Sequence, residues 1–159
     1  MSICKWFKKK KKPIKTPTKK PSPLYQAAST YIGTREIPGA KHNKKIQEMH
    51  KVVTGQELSD ETPWCAAFVN FILHANGYKG TGSLLARSFL KYGQLVDAEN
   101  VRQGDIVLLW RESPNSWKGH VGFFHDRDSE YVYILGGNQA NAVNISKYKR
   151  TRILAYRRV

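Results

Sequence analysis

The chain has 159 residues, with 40% apolar and 25% charged side chains, 12 Gly, 7 Pro and 2 Cys. This composition suits one soluble globular domain. No apolar run approaches the ~18 residues of a membrane helix, two cysteines cannot staple a scaffold, and nothing repeats at a solenoid period. Lys and Arg number 27 against 12 Asp and Glu, a net +15. Nine lysines and no acid lie in residues 1–22, which leaves 18 basic and 12 acidic side chains, or +6, for the rest.

Residues 1–23 therefore read as a separate polycationic arm, broken by Pro13, Pro17, Pro21 and Pro23. Proline donates no backbone hydrogen bond and neighbouring lysines repel, so the arm is expected to be disordered. Lysines follow Trp6 and Phe7 directly, where a secretory signal would need ~7–15 apolar residues, so no signal peptide is visible. Such charge suits nucleic acid, anionic lipid or lipopolysaccharide, or an acidic wall polymer, or simply a solubilising tail. No aromatics alternate with the lysines, so binding to nucleic acid would be nonspecific. Cys4 reads as an incidental thiol.

From residue 24 the text becomes periodic. Residues 24–32 form a helix candidate closed by Gly33, and Pro38-Gly39 a turn. A second helix spans about 43–53, with Ile46, Met49, Val52 and Val53 at helical spacing and Gly55 as its stop. A third begins with Thr62 as N-cap and Pro63 in the first turn, runs through Trp64-Cys65-Ala66-Ala67-Phe68-Val69-Asn70-Phe71-Ile72-Leu73, and is apolar nearly all round, as a buried central helix should be. A fourth fits 83–92, ended by Gly93. After Gly104 come short β-rich runs at 106–110, 121–125, 131–135, 143–146 and 153–156. Helices first and strands second predict an α+β domain over 24–159, its helical half packed on an antiparallel sheet.

Cys65 falls near the start of the buried helix, where unpaired N–H groups and the dipole favour a thiolate and are expected to lower its pKa. By position alone it equally suits a small buried apolar residue. His120 opens a strand in Gly119-His120-Val121-Gly122, with small neighbours that leave the imidazole uncovered and let another backbone approach. His125, five residues on, would face the other side, and His42, His50 and His74 read as surface or packing residues. No ligand pair has zinc spacing, so no metal is expected. If 121–125 and 131–135 pair as a hairpin, Asn138 in Leu135-Gly136-Gly137-Asn138-Gln139 lies near His120. It could orient the ring, although the two glycines also suit a bulge and Asn a turn. Cys65, His120 and Asn138 would then be nucleophile, base and orienting group of a thiol acyl-transfer site. A serine site lacks support: no Gly-x-Ser-x-Gly elbow exists, and Ser83 and Ser88 lack a matched base. Asp105 reads as structural, and Trp64, Trp110 and Trp117 as core or cleft residues.

Five blocks occur in order: Thr62-Pro63-Trp64-Cys65-Ala66-Ala67-Phe68-Val69-Asn70, Ala86-Arg87-Ser88, Gly104-Asp105-Ile106-Val107, Gly119-His120-Val121-Gly122 and Gly136-Gly137-Asn138-Gln139. Over residues 24–159 this resembles the CHAP and NlpC-type papain-like peptidoglycan hydrolases, particularly a compact group from phages and prophages. The resemblance implies a papain-like fold, Cys65 as nucleophile, His120 as general base and no cofactor. Many CHAP enzymes carry a Glu two residues before the Asn of the last block. Gly136 stands there in this chain, which leaves Asn138 as the orienting group.

The resemblance further implies cleavage of a wall amide, as an N-acetylmuramoyl-L-alanine amidase or a stem-peptide endopeptidase. It suggests a monomeric bacteriophage endolysin held in the host cytoplasm until cell wall lysis, with the arm docking on anionic envelope or wall polymers. The same chemistry would serve a virion-associated hydrolase or an antimicrobial effector. A nucleic-acid-binding or packaging protein on an inactive hydrolase scaffold is the reading from a different class.

Overall fold

The computed structural model describes residues 21–159. The basic segment 1–20, with Cys4 and Trp6, lies outside the described residues. Three α-helices, α1 (Pro23–Ser29), α2 (Lys44–Thr54) and α3 (Cys65–Ala75), precede six strands: β1 (Gln94–Val96), β2 (Ile106–Trp110), β3 (Gly119–Arg127), β4 (Tyr131–Gln139), β5 (Ala142–Lys149) and β6 (Ile153–Arg158). The strands form one antiparallel sheet in the order β1-β6-β2-β3-β4-β5. The α+β expectation holds at this level. Among the described residues no helix is long and apolar enough to cross a membrane.

Capping chemistry fixes the helix ends. Ser22 Oγ accepts the Tyr25 N–H at 3.2 Å, Asn43 Oδ1 accepts the Lys45 N–H at 3.0 Å, and Gly55 ends α2 in the left-handed conformation (φ 76°) that glycine adopts without strain. α3 differs from its expected start. It begins at Cys65, with Trp64 at the cap position and no side-chain cap of its own. The 83–92 segment is not an α-helix but a 3₁₀ turn over Ala86–Lys91, tightened between Leu85 and Tyr92, both in extended backbone. The short edge strand β1 has too little apolar text to stand out in the sequence.

The sheet separates two cores. Ile106, Leu108, Val121, Phe123 and Leu135 pack with Trp64, Phe68, Ile72 and Met49 from the helices. Val107, Leu109, Phe124, Val132, Ile134 and Tyr156 make a second cluster on alternate positions of the same strands. Strand β2 is thus buried on both faces, which explains its unbroken Ile-Val-Leu-Leu run.

A buried carboxylate secures the approach to α3. Asp60 is fully buried and accepts the N–H groups of Ile37 (2.9 Å) and Asn43 (2.8 Å) and a hydrogen bond from His42 Nδ1 (3.0 Å). Burial alone would raise its pKa, but these donors outweigh burial and hold the carboxyl below its ordinary range. Asp105, as expected, is structural: Arg158 grips it through Nε (2.8 Å) and Nη2 (2.6 Å), and it accepts the Arg102 N–H.

Replacing Asp60 by Asn removes one of these acceptor positions and should cost about 1–3 kcal/mol in urea unfolding at pH 7. The stabilisation by a depressed carboxyl is complete above its unfolded pKa and is lost as pH falls through the folded one. The gap between wild type and variant should therefore close on acidification.

Candidate active site

Cys65 opens α3, and His120 lies at the start of β3, a strand that packs against that helix. Both are nearly buried, at 8% and 5% exposure. The backbone N–H of Val121, next to His120, favours the Cys65 thiolate, and the Arg111 charge acts on both groups. The other ring nitrogen has a defined partner: His120 Nε2 lies 3.0 Å from Gln139 Oε1.

The amide of Gln139 cannot turn over. Its Nε2 donates to Asn144 O (2.7 Å), Asn144 Oδ1 (3.0 Å) and Ile134 O (3.2 Å). Asn144 is itself oriented, because its Nδ2 donates to Gln139 O at 2.7 Å. Gln139 Oε1 therefore faces His120 as an acceptor and also takes the Tyr148 hydroxyl proton at 2.9 Å. An acceptor opposite Nε2 requires the proton there, which leaves the Nδ1 lone pair as the base.

The sequence places the orienting role on Asn138, and the structure puts Gln139 there. β4 bulges between Gly136 and Gln139, with Asn138 in the left-handed region (φ 56°). The extra residue shifts the strand's parity by one. Asn138 turns toward α3, where its amide accepts the Trp64 N–H at 3.2 Å and donates to Glu36 Oε1 at 3.3 Å. It thus supplies from another strand the cap that α3 lacks. Glu36 Oε1 also takes the Trp64 indole proton at 2.7 Å. The glycines have separate tasks. A Cβ on Gly137 would lie 2.6 Å from the Trp64 ring, and one on Gly136 would crowd Gln139 Oε1 (3.1 Å) and His120 Nε2 (3.4 Å). The space beside the base at Gly136 is filled by Gln139 folding back through the bulge.

The remaining residues fall outside the centre. His125 hydrogen-bonds the Tyr25 hydroxyl and stacks on its ring. His50 is buried in α2, His42 binds Asp60, and His74 lies in the last turn of α3. Trp64 is core, and Trp117 is 69% exposed on the β2–β3 loop. Gly122 does admit another backbone, that of Leu135 and Gly136. The imidazole, however, is covered: Tyr148 lies against it with ring centroids 5.3 Å apart. Among the described residues no group of three His, Cys, Asp or Glu could hold a metal ion.

Burial decides the charge state. It raises the Cys65 pKa, against the lowering effects of the Val121 and Ala66 N–H groups and Arg111. This reverses the expectation from the helix start, because desolvation of a thiolate outweighs the dipole here. Burial also pushes His120 down to about 4; Gln139 opposes this, while Arg111 and Arg152 add to it. At rest the thiol and the imidazole are both neutral. Sequence reasoning missed Gln139 and Tyr148. The Gly136-Gly137 pair was the available signal for the first, since a bulge there moves the inward position by one.

Gln139→Leu should lower the rate of Cys65 alkylation by iodoacetamide at pH 7 at least about tenfold, by freeing the His120 tautomer. Asn138→Gly, which keeps the left-handed backbone, should alter this rate far less. Mass spectrometry of the Cys65 peptide reads both.

Comparison with protein-family models finds no matching family, and a search of curated proteins finds no match to the chain.

Proposed function

We propose that the chain is a papain-like cysteine hydrolase of the CHAP/NlpC type that cleaves an amide bond of bacterial peptidoglycan. The observation that carries this reading is the locked Gln139 amide, which fixes His120 with its other nitrogen free, on a strand that packs against the helix Cys65 opens. The five sequence blocks support the choice of wall amides. The α+β order and the single antiparallel sheet are compatible with a papain-like fold.

In this reading substrate binding brings the scissile carbonyl to Cys65. His120 Nδ1 takes the thiol proton as sulfur attacks, so charge develops only during the reaction. The N–H groups at the start of α3 have no intrahelical acceptor, and in this reading that of Cys65 holds the oxyanion. The His120 imidazolium, steadied through Nε2 by Gln139, protonates the leaving amine. Water, activated by the same nitrogen, then releases the acyl group from sulfur. The lysine-rich segment 1–22 supplies the attraction to anionic wall or envelope polymers, and a phage endolysin is the setting this combination fits best.

Incubation with purified peptidoglycan tests the reading. Wild type should release fragments whose new termini, identified by mass spectrometry, name the amide cut, and Cys65→Ala should release none. Release by both proteins, or by neither on walls of several bacteria, refutes it. Because the base is lost only when His120 is protonated, the acid limb of kcat/KM should fall near pH 4 rather than near the ordinary histidine value.

A further inference from the structure

Two arginines lie near His120 without carboxylate partners: Arg152, and Arg111, two residues beyond the Leu109 that pairs with His120 across β2 and β3. Arg152 ends the 3₁₀ turn between β5 and β6. Its Nε and Nη2 donate to Trp110 O at 3.2 and 3.1 Å, and its guanidinium stands over the rings of Trp110 (5.8 Å) and Tyr148 (5.4 Å). Tyr148 in turn lies on His120, so this cation is held at the edge of the base. Arg111 follows β2 directly, in the loop leading to β3, and its side chain is exposed. Among the described residues neither arginine makes an ion pair. Glu112, the acid next to Arg111, is taken by Lys118 at 2.5 Å, and Glu36 is occupied by Trp64 and Asn138.

An unpaired cation beside a catalytic base has a cost for catalysis. Proton transfer from Cys65 makes His120 an imidazolium, and two guanidiniums oppose that charge. An anion bound between the arginines would remove the opposition at the moment the imidazolium forms. Guanidinium groups match the fork of a carboxylate, and Arg152 arrives with its side chain already fixed.

We infer that Arg111 and Arg152 select a substrate bearing a free carboxylate next to the scissile amide, so that the acidic rather than the amidated form of the peptide is cleaved. This names the substrate class of the proposed hydrolase and rests on that reading. The substrate completes the charge balance of the site: its carboxylate binds the two arginines, and His120 becomes a stronger base in the complex than in the free protein.

The test uses the full chain and paired muropeptides that differ only in having their peptide carboxyls free or converted to carboxamides. Wild type should cleave the free acid with kcat/KM at least about tenfold higher, the scale of one charge-assisted hydrogen bond. In Arg111→Gln the ratio of the two substrates should fall toward one. The ratio within one variant cancels any change in the thiol itself. Calorimetry on the Cys65→Ala chain should show the same preference in binding, again weakened by Arg111→Gln. Equal cleavage of both forms by wild type, or an unchanged ratio in Arg111→Gln, overturns carboxylate selection and leaves the hydrolase standing. Carboxylate-selective, Arg111-dependent binding without turnover does the reverse. Neither turnover nor selective binding overturns both.

Discussion

The bulge of β4 against the first residues of α3 is the contact on which the site depends. Gly137 brings the strand onto the Trp64 ring at a distance no side chain would permit. From that fixed point Asn138 reaches one way to the helix start and Gln139 reaches the other way to His120. One irregularity in one strand therefore sets both the start of α3 and the tautomer of His120. Asp60 secures the other side, tying the 37–43 segment beneath the residues that lead into α3.

Burial then governs the electrostatics. A cysteine at a helix N-terminus is usually an argument for a ready thiolate, and here the dry surroundings outweigh the dipole. The same dryness lowers His120, so thiol and imidazole rest neutral. The hydrogen bond to Gln139 gives the imidazole direction without separating charge. In the proposed mechanism, separation is deferred until a carbonyl is present to receive the electron pair of sulfur.

Much of the fold was legible because it follows from local chemistry. Asn43 and Gly55 mark the ends of α2, the all-apolar α3 declares its burial, and the β-rich runs after Gly104 become the long strands of the sheet. The start of α3 was misplaced because its cap comes from Asn138, more than seventy residues away, and local capping rules do not see such a partner. The positions of Cys65 at the start of a buried helix and of His120 at the start of a strand were legible from their local settings. The orienting residue was off by one, because alternation along β4 holds only up to the bulge and the glycines that signal it do not state its width. The arginines belong to ordinary loop text, and only the fold gathers them around the pair.

Strand β5 is the outer strand of the sheet, yet it carries Asn144 and Tyr148, the residues that fix Gln139. Residues 33–36 flank only the first residues of β5, and beyond them it has a neighbour on one side only, an arrangement that opens locally before the interior does. Cys65, the proposed nucleophile, sits on a central helix that remains packed through such an opening. Warming should therefore idle the proposed enzyme while it is still folded: when the β4–β5 hairpin separates, the imidazole loses its assigned nitrogen and the thiol its base. Reclosure of one hairpin, rather than refolding of the domain, would restore it.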